Sequence, residues 1–309
     1  MSPKVTIVLL NLNQEEHTRE CIRSLAGVLY DNLEIILVDC GSTDGSGHRL
    51  HELFPLVTYQ RSEENLGFTG GNNLGMGIAL AHQAEYVMLL NNDTVVEQNF
   101  IQPLVDFAES EPRLGAQCGK IYLFSDKEKF WYAGGTIEVD KAYASHRGIS
   151  QKDVGQYDTI EDTGFASGCM LFMPRRVIEQ IGMLDLEFFV YFEDSDWCLR
   201  ARSRGYRIIY NPGSRIWHKV SVTNKIDSPQ YLYLTMRNKI IFLRRHSAPS
   251  RWLKHLPYFL FFYSRHLIRM SLKWHSLKGT LAVVYGIVDG VRNHTGPGGK
   301  GRLDKLLRQ

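Results

Sequence analysis

The first 90 residues alternate short, strand-like runs with segments of helical periodicity. Thr18 to Leu29 and Leu74 to Ala84 have the helical pattern, and each lies between two of the strand-like runs. Strands that alternate with helices in this way predict an α/β fold with a mostly parallel, doubly wound sheet and right-handed crossovers. The strand-like runs are Val5 to Leu10, Ile35 to Val38, Val57 to Gln60 and Tyr86 to Leu90.

Three of the predicted strands end in clusters of polar side chains. Because the carboxyl ends of parallel strands meet at one edge of a sheet, where ligands bind, we expect these clusters to lie together. Asx turns would explain a single cluster, but three at one edge favour a nucleotide-binding site. Asp39 suits a ribose hydroxyl or a base N–H, and the glycines after it let a ligand approach the backbone. The clusters are Asn11, Asn13 and Glu15; Asp39, Ser42 and Asp44; and Asn91, Asn92 and Asp93.

The third cluster also offers oxygen ligands that suit a divalent cation carrying a phosphorylated substrate, although a simple turn remains the alternative. The common phosphate-binding fingerprints are absent from the predicted strand ends. GxxxxGK[ST] does not occur, and none of the Gly-rich runs after a predicted strand matches GxGxxG. P-loop ATPases and Rossmann dehydrogenases are therefore disfavoured.

A second group of carboxylates, Glu193, Asp194 and Asp196, lies among aromatic residues. Crowded carboxylates in apolar surroundings favour a raised pKa in one of them, as proton transfer requires. Alternatively, these residues begin a helix that runs toward Arg204, where acidic side chains stabilise the helix dipole. The two interpretations are compatible. His218 follows another apolar patch, and a lone histidine there is either structural or a metal ligand.

Charge is distributed unevenly along the 309 residues. Residues 231–309 contain 15 Lys and Arg but 2 Asp and Glu, whereas residues 1–230 contain 21 and 31. The basic tail mixes cations with aromatic residues and lacks the ~20 consecutive apolar residues of a membrane span. We expect it to lie on an anionic membrane surface, with packing of its helices on the rest of the chain as the alternative. No RNA-binding signature is present, so nucleic acid is not an expected partner.

Five cysteines without a CxxC pair indicate reduced thiols, and no signal peptide precedes the first strand. These features predict a cytoplasmic protein.

Several ordered motifs resemble the GT-A glycosyltransferases of family 2, and within that family the rhamnosyltransferase-like branch. The resemblance covers roughly residues 4–245, and its ordered series of motifs is more specific than any single one. The motifs are Thr6 to Asn13, Val38 to Gly45, Asn65 to Phe68, Gly71 to Asn73, Leu90 to Asp93, Phe188 to Arg202 and His218.

The resemblance implies a GT-A (Rossmann-like) catalytic domain at residues 1–230, followed by a basic helical extension at 231–309. Within the domain, residues 1–114 form the nucleotide-binding half and residues 115–230 the acceptor and catalytic half.

In this family the position of Asp194 is the general base, and Glu193 precedes it. Asp93 and His218 would bind one Mg²⁺ or Mn²⁺, together with diphosphate oxygens. Many relatives carry an acidic residue where this chain has Asn91, so metal affinity without nucleotide should be weak. Nucleotide or donor contacts are expected from Asn11, Asn13, Glu15, Asp39, Ser42, Asp44, Asn65, Gly67, Asn72, Asn92 and Gly168.

The expected function is inverting, metal-dependent transfer of a sugar, with rhamnose from dTDP-rhamnose as the specific expectation. The acceptor would be a glycan or a lipid-linked saccharide at the inner face of the cell membrane, in cell-wall or polysaccharide biosynthesis. A nucleotidyltransferase is one alternative, but its Gly-rich basic loop is missing after Leu10. A sugar-nucleotide-binding protein without turnover is the other, and Glu193 and Asp194 argue against it.

Overall fold

A computed structural model describes residues 2–220, 228–255, 257, 258, 261 and 277–296. The chain forms two compact units. The first comprises Met1–Thr136, Ser145–Leu184 and Asp194–Ser221, and the second comprises Ile137–Ala144, Asp185–Glu193 and Val222–Gln309. The functional division into a catalytic domain at 1–230 and an extension at 231–309 stays a prediction.

The first unit is built on a ten-stranded sheet in the order β10-β12-β6-β11-β4-β1-β2-β3, with β5 on β12 and β7 on β6. The pairs β1–β2, β1–β4, β2–β3 and β6–β12 are parallel, whereas β11 runs antiparallel between β4 and β6. The predicted α/β fold with a mostly parallel sheet is confirmed. The strands are β1 Val5–Asn11, β2 Leu33–Cys40, β3 Thr58–Ser62, β4 Tyr86–Leu90, β5 Thr94–Val96, β6 Leu114–Leu123, β7 Asp126–Tyr132, β8 Gly135–Glu138, β9 Tyr143–His146, β10 Glu161–Asp162, β11 Met170–Pro174 and β12 Arg207–His218.

The helices follow the predicted alternation, but two boundaries differ from it. Helix α1 ends at Leu25, and Leu29, which we expected on its buried face, is 69% exposed. The helices are α1 Glu15–Leu25, α2 Ser46–Leu53, α3 Gly67–Ala81, α4 Gln102–Ser110, α5 Arg175–Ile181, α6 Glu193–Ser203, α7 Pro229–His246, α8 Pro249–Trp252 and α9 Leu277–Val291.

Helix α3 begins at Gly67, so it includes the glycine-rich run before Leu74, where the predicted helical segment begins. Glycines of this helix serve packing. A Cβ on Gly71 would lie 2.6 Å from the Cys40 Sγ, and one on Gly75 would lie 2.3 Å from Val8 Cγ1. Glycine therefore allows the helix backbone to press directly against β1 and β2, at the expense of local helix propensity.

The second unit contains α7 and α9. Its apolar core includes Leu232, Leu234 and Met236 of α7 with Ala282 and Val283 of α9. Within the part of the chain that is described, no helix is both long and apolar enough to cross a membrane.

Candidate active site

The ends of β1 and β2 are joined by one buried amide. Asn11 is the register partner of Asp39, and its Nδ2 donates to Asp39 Oδ1 at 3.1 Å. The same Nδ2 lies 3.0 Å from the hydroxyl oxygens of Ser42 and Ser46. Asn11 is fully buried. The structure thus brings the first two predicted clusters together, with Asn11 placed inside as the side chain that organises them.

Asp39 is held from the opposite side by Arg61 of β3. Its Oδ2 lies 2.6 Å from the Arg61 guanidinium, and the Tyr59 hydroxyl donates to it at 3.4 Å. A Cβ on Gly47 would lie only 2.2 Å from this oxygen. The carboxylate is therefore fixed at the strand end, in a position that the sequence predicted, by a cation that the sequence analysis missed.

The loop before α2 is held by side chains of the segment that follows β1. Asn13 has a φ of 55°, and its Oδ1 accepts from the backbone N–H of Thr43 at 2.9 Å and of Asp44 at 3.3 Å. Glu15 pairs with Arg49 at 2.6 Å. The Arg49 hydrogen bond is the largest cause of the lowered pKa of Glu15. All three predicted residues, Asn13, Glu15 and Asp44, lie around this loop.

The third cluster joins the first through Thr18 of α1. The Asn92 Nδ2 donates to the Thr18 hydroxyl at 2.7 Å, and that hydroxyl donates to Asn11 Oδ1 at 3.0 Å. The remaining predicted contacts lie near the start of α3. Asn65 Oδ1 accepts from the Gly67 N–H at 2.9 Å, and Asn72 bonds within the helix.

Antiparallel pairing of β5 with β12 brings Asp93 and His218 together. His218 is the register partner of Thr94, and the Lys219 N–H donates to the Asp93 carbonyl at 2.9 Å. Their side chains meet with His218 Nε2 3.1 Å from Asp93 Oδ1, and both are buried. Adjacent ligands at roughly 2.1 Å from an octahedral cation lie about 3 Å apart, so this spacing fits two ligands of one metal ion.

A third observation bears on the fit of a metal ion. The buried His218 Nδ1 has no hydrogen-bond partner among the described residues. In that same part of the chain, no group of three or more His, Cys, Asp or Glu side chains could hold a metal. A cation bound by this pair would need ligands beyond these two side chains.

Asp194 lies in the first turn of α6, as the helix interpretation predicted. Its Oδ2 accepts from the Gly168 N–H at 2.9 Å, and its Oδ1 accepts from the Ser195 N–H at 2.6 Å. A side chain on Gly168 would crowd the Phe68 ring, because a Cβ there lies 3.2 Å from the Phe68 Cζ, and it would be in van der Waals contact with Asp194 Oδ2 at 3.5 Å.

The predicted cluster of three carboxylates is not a single group. Asp196 forms an ion pair with Arg200 at 2.8 Å, one turn further along α6. Glu193 is the buried first residue of the helix. Of the three carboxylates, Asp194 is thus the one that accepts a hydrogen bond from the Gly168 N–H.

The pair of Asp93 and His218 is connected to Asp194 through the two residues Gly168 and Cys169. The Asn91 N–H, two residues before Asp93, donates to the Cys169 carbonyl at 3.0 Å. Gly168 is the residue that bonds to Asp194. Strand β11 then continues from this point as the antiparallel partner of β4, so both acidic residues are placed from the same strand end.

Two residues near Asp194 had no assigned role in the sequence analysis. The Trp131 ring lies between two imidazoles, 4.3 Å from that of His146 and 4.5 Å from that of His218. Burial lowers the pKa of His146, and the charge of Asp194 acts in the opposite direction. No spacing pattern in the sequence links these residues, because β7, β9 and β12 bring them together only in the folded chain.

Comparison with known proteins assigns the family. A model of glycosyl transferase family 2 matches residues 6–182, more than half of the chain. The chain belongs to glycosyltransferase family 2. It is therefore a glycosyltransferase, as the motifs indicated.

Two curated relatives of this glycosyltransferase are similar over most of their length. The low-salt glycan biosynthesis hexosyltransferase Agl10 of Haloferax volcanii is 24% identical over 306 residues, covering 96% of this chain and 94% of the relative. The N-acetylglucosaminyl-diphospho-decaprenol L-rhamnosyltransferase of Mycobacterium tuberculosis is 26% identical over 285 residues, covering 82% and 89%.

Among solved structures, GalNAc-T7 with UDP, GalNAc and Mn²⁺ superimposes with a TM-score of 0.63 at 15% identity, covering 78% of this chain and 48% of that one. At this identity the similarity shows the fold, which is GT-A.

Proposed function

We propose that this glycosyltransferase moves a sugar from a nucleoside diphosphate to a hydroxyl of a glycan or lipid-linked saccharide, with inversion at the anomeric carbon. The observation that carries this proposal is that two sites are joined to the adjacent residues Gly168 and Cys169. The Gly168 N–H donates to Asp194, and the Cys169 carbonyl accepts from Asn91, two residues before Asp93, which pairs with His218. Such a pairing separates the group that receives a proton from the group that faces the leaving diphosphate.

In the proposed reaction, Asp194 accepts the proton of the acceptor hydroxyl as its oxygen bonds to the anomeric carbon. The bond from that carbon to the diphosphate oxygen breaks, and its electron pair leaves with the nucleoside diphosphate. A single displacement from the opposite face inverts the configuration. The Gly168 and Ser195 N–H groups hold the carboxylate in one orientation for this step.

Asp93 and His218 would hold one Mg²⁺ or Mn²⁺. When bound, the cation would supply positive charge for the departing diphosphate. Asn91 contributes no negative charge at this position, so we expect the ion to bind together with the nucleotide. The residues at the ends of β1, β2 and β4 would bind the nucleoside, with Asp39 as the acceptor for a ribose hydroxyl or base N–H.

His146 and Trp131 are proposed to face the acceptor. The His146 Nδ1 lies 3.2 Å from the Trp131 carbonyl oxygen, which can only accept, so Nδ1 carries the hydrogen. The lowered pKa keeps the ring neutral at pH 7, which leaves Nε2 as a hydrogen-bond acceptor for a sugar hydroxyl. The adjacent indole would pack against the sugar ring.

The donor proposed is dTDP-rhamnose. The name of the mycobacterial relative supports the rhamnosyl group, and that of a further relative, the dTDP-rhamnosyl transferase RfbF of Shigella flexneri, supports the nucleotide. Thermal shift with a panel of sugar nucleotides, with and without Mn²⁺, tests this choice. We expect dTDP-rhamnose to give the largest metal-dependent shift, and Asp39→Asn to reduce it because a charged hydrogen-bond acceptor is lost. A larger shift with another sugar nucleotide would replace rhamnose by that sugar.

The product separates this function from the two alternatives. Sugar transfer releases a nucleoside diphosphate, whereas nucleotidyl transfer to a sugar phosphate releases pyrophosphate. A binding protein releases neither. Chromatography of a reaction with dTDP-rhamnose should show dTDP. If no donor of the panel released its nucleoside diphosphate, the proposed activity would be contradicted.

The enzyme is also proposed to lie on the cytoplasmic face of an anionic membrane. The support is the sequence of residues 251–273, which mixes apolar and aromatic residues with the cations Arg251, Lys254, Arg265, Arg269 and Lys273. These positions lie largely outside the described residues. We expect the whole protein to sediment with phosphatidylglycerol vesicles and less with phosphatidylcholine vesicles. Glutamate at Arg265, Arg269 and Lys273 should weaken sedimentation, and equal binding of this variant would exclude the tail as the contact.

A further inference from the structure

The loop before α6 has an unusual backbone. Phe189, Tyr191 and Phe192 have φ values of 60°, 74° and 75°. Residues with side chains rarely adopt this left-handed conformation, because Cβ then lies too close to the following carbonyl oxygen. Such residues persist only where the surrounding structure enforces them. Asp194 follows this loop in the chain by two residues.

Two fully buried side chains of α7 bind the carbonyl groups of this loop. The Asn238 Nδ2 lies 2.8 Å from the Phe188 carbonyl oxygen, 2.8 Å from that of Val190 and 2.9 Å from that of Tyr191. Arg237 donates to the Phe188 carbonyl at 3.0 Å and to the Glu187 carbonyl at 3.2 Å. A loop with this backbone forms neither a helix nor a strand, so its carbonyl groups have no regular hydrogen-bond ladder. The Arg237 and Asn238 side chains provide donors for them.

Arg237 and Asn238 are also fixed to each other. The Arg237 Nε donates to Asn238 Oδ1 at 3.0 Å, which turns the Asn238 NH₂ group toward the loop. Burial lowers the pKa of Arg237. Burying a guanidinium is costly unless carbonyl or carboxylate groups receive its hydrogen bonds, so its position here is explained by the carbonyl groups it binds.

The aromatic side chains of the loop pack on the same helix. Phe189 belongs to the apolar core of the second unit, and the Phe192 ring lies 5.3 Å from that of Phe242. Arg245 stacks over Phe188 at 5.2 Å. The strained backbone is therefore restrained by α7 through both polar and apolar contacts.

We propose that Arg237 and Asn238 are positioning residues: they fix the left-handed loop from which α6 starts and so set the direction of the Asp194 carboxylate. This role rests on the proposed function, in which Asp194 receives the proton. It assigns a part in turnover to two side chains that lie in α7, outside the motifs that carry the reacting groups.

The test combines a local and a kinetic measurement on the full chain. In Asn238→Ala, backbone amides of residues 188–192 should lose protection against hydrogen exchange, while those of α9 keep theirs. The kcat for donor turnover should fall about 100-fold, the effect of a misplaced catalytic group, with little change in the KM for the donor. Arg237→Lys, which keeps the charge but loses the fork of donors, should give a smaller fall.

Arg244→Ala is the matched control. Arg244 lies on the same helix but donates to the carbonyl groups of Gly290 and Val291. It should leave loop exchange and kcat as in the unmodified enzyme. Unchanged loop exchange in Asn238→Ala, a rise in KM without a fall in kcat, or an equal effect of Arg244→Ala would each overturn the proposal. Exchange is measured without substrate, so it is independent of whether Asp194 proves to be the base.

Discussion

Asp194→Asn should reduce sugar transfer by about 10²- to 10⁴-fold, the range lost when a positioned proton acceptor is removed. The amide has nearly the shape of the carboxylate, and its oxygen can still accept the hydrogen bond from the Gly168 N–H. It cannot take a proton from a hydroxyl at neutral pH. Initial rates of nucleoside diphosphate release should show the loss in kcat, with donor affinity maintained in a titration calorimeter.

Asp196→Asn provides the comparison for this variant. Asp196 lies in the same helix and is fully buried, whereas Asp194 is half-buried, and the Asp196 carboxylate pairs with Arg200. We expect it to lower the melting temperature, because Arg200 loses the charge of its partner, and to affect turnover far less than Asp194→Asn. Turnover by Asp194→Asn at the unmodified rate would exclude it as the base.

Asp93→Ala should remove most of the metal-dependent part of donor binding. One of two protein ligands is lost, and His218 alone offers a single neutral nitrogen. We expect nucleoside diphosphate affinity with Mn²⁺ to weaken about 100-fold, corresponding to roughly 2.8 kcal/mol. Calorimetric titrations with Mn²⁺ and with EDTA should then give nearly the same affinity for the variant.

A substitution two residues before Asp93 should strengthen metal binding instead of weakening it. Asn91→Asp would add a carboxylate beside the proposed ion, so Mn²⁺ should bind more tightly without nucleotide. Normal Mn²⁺-dependent affinity in Asp93→Ala, together with no gain in Asn91→Asp, would place the metal elsewhere.

The strand ends were predictable because two simple rules act together. Apolar runs identify buried strands, and parallel strands deliver their carboxyl ends to one edge, which placed Asn11 beside Asp39. The contact of Arg61, which reaches Asp39 from a neighbouring strand, was not predictable from local patterns. The pairing of His218 with Asp93 was expected from the family resemblance alone, because it depends on β12. Such contacts depend on strand order, which local patterns do not encode.

Local sequence patterns also gave two wrong expectations, the start of helix α3 and the grouping of Asp196 with Asp194. The glycine-rich run that contains Gly71 lies before the predicted helical segment, yet it belongs to α3, and Gly71 and Gly75 allow this helix to approach the sheet. We grouped Asp196 with Asp194 in one acidic cluster. Arg200 lies four residues later on the same helical face, and its ion pair neutralises the charge of Asp196. The roles of Arg237 and Asn238 depend on backbone conformations at Phe189 and Tyr191 that have no sequence signature.

The position of β12 in the sheet has a consequence for how the chain can be divided. This late strand inserts between β6 and β10, beyond the residues matched by the family model. A polypeptide ending at residue 182 would leave β6 with an open hydrogen-bonding edge, a surface that invites aggregation. On the ribosome, likewise, the pairing of Asp93 with His218 has to wait until the chain has been synthesised at least as far as residue 218.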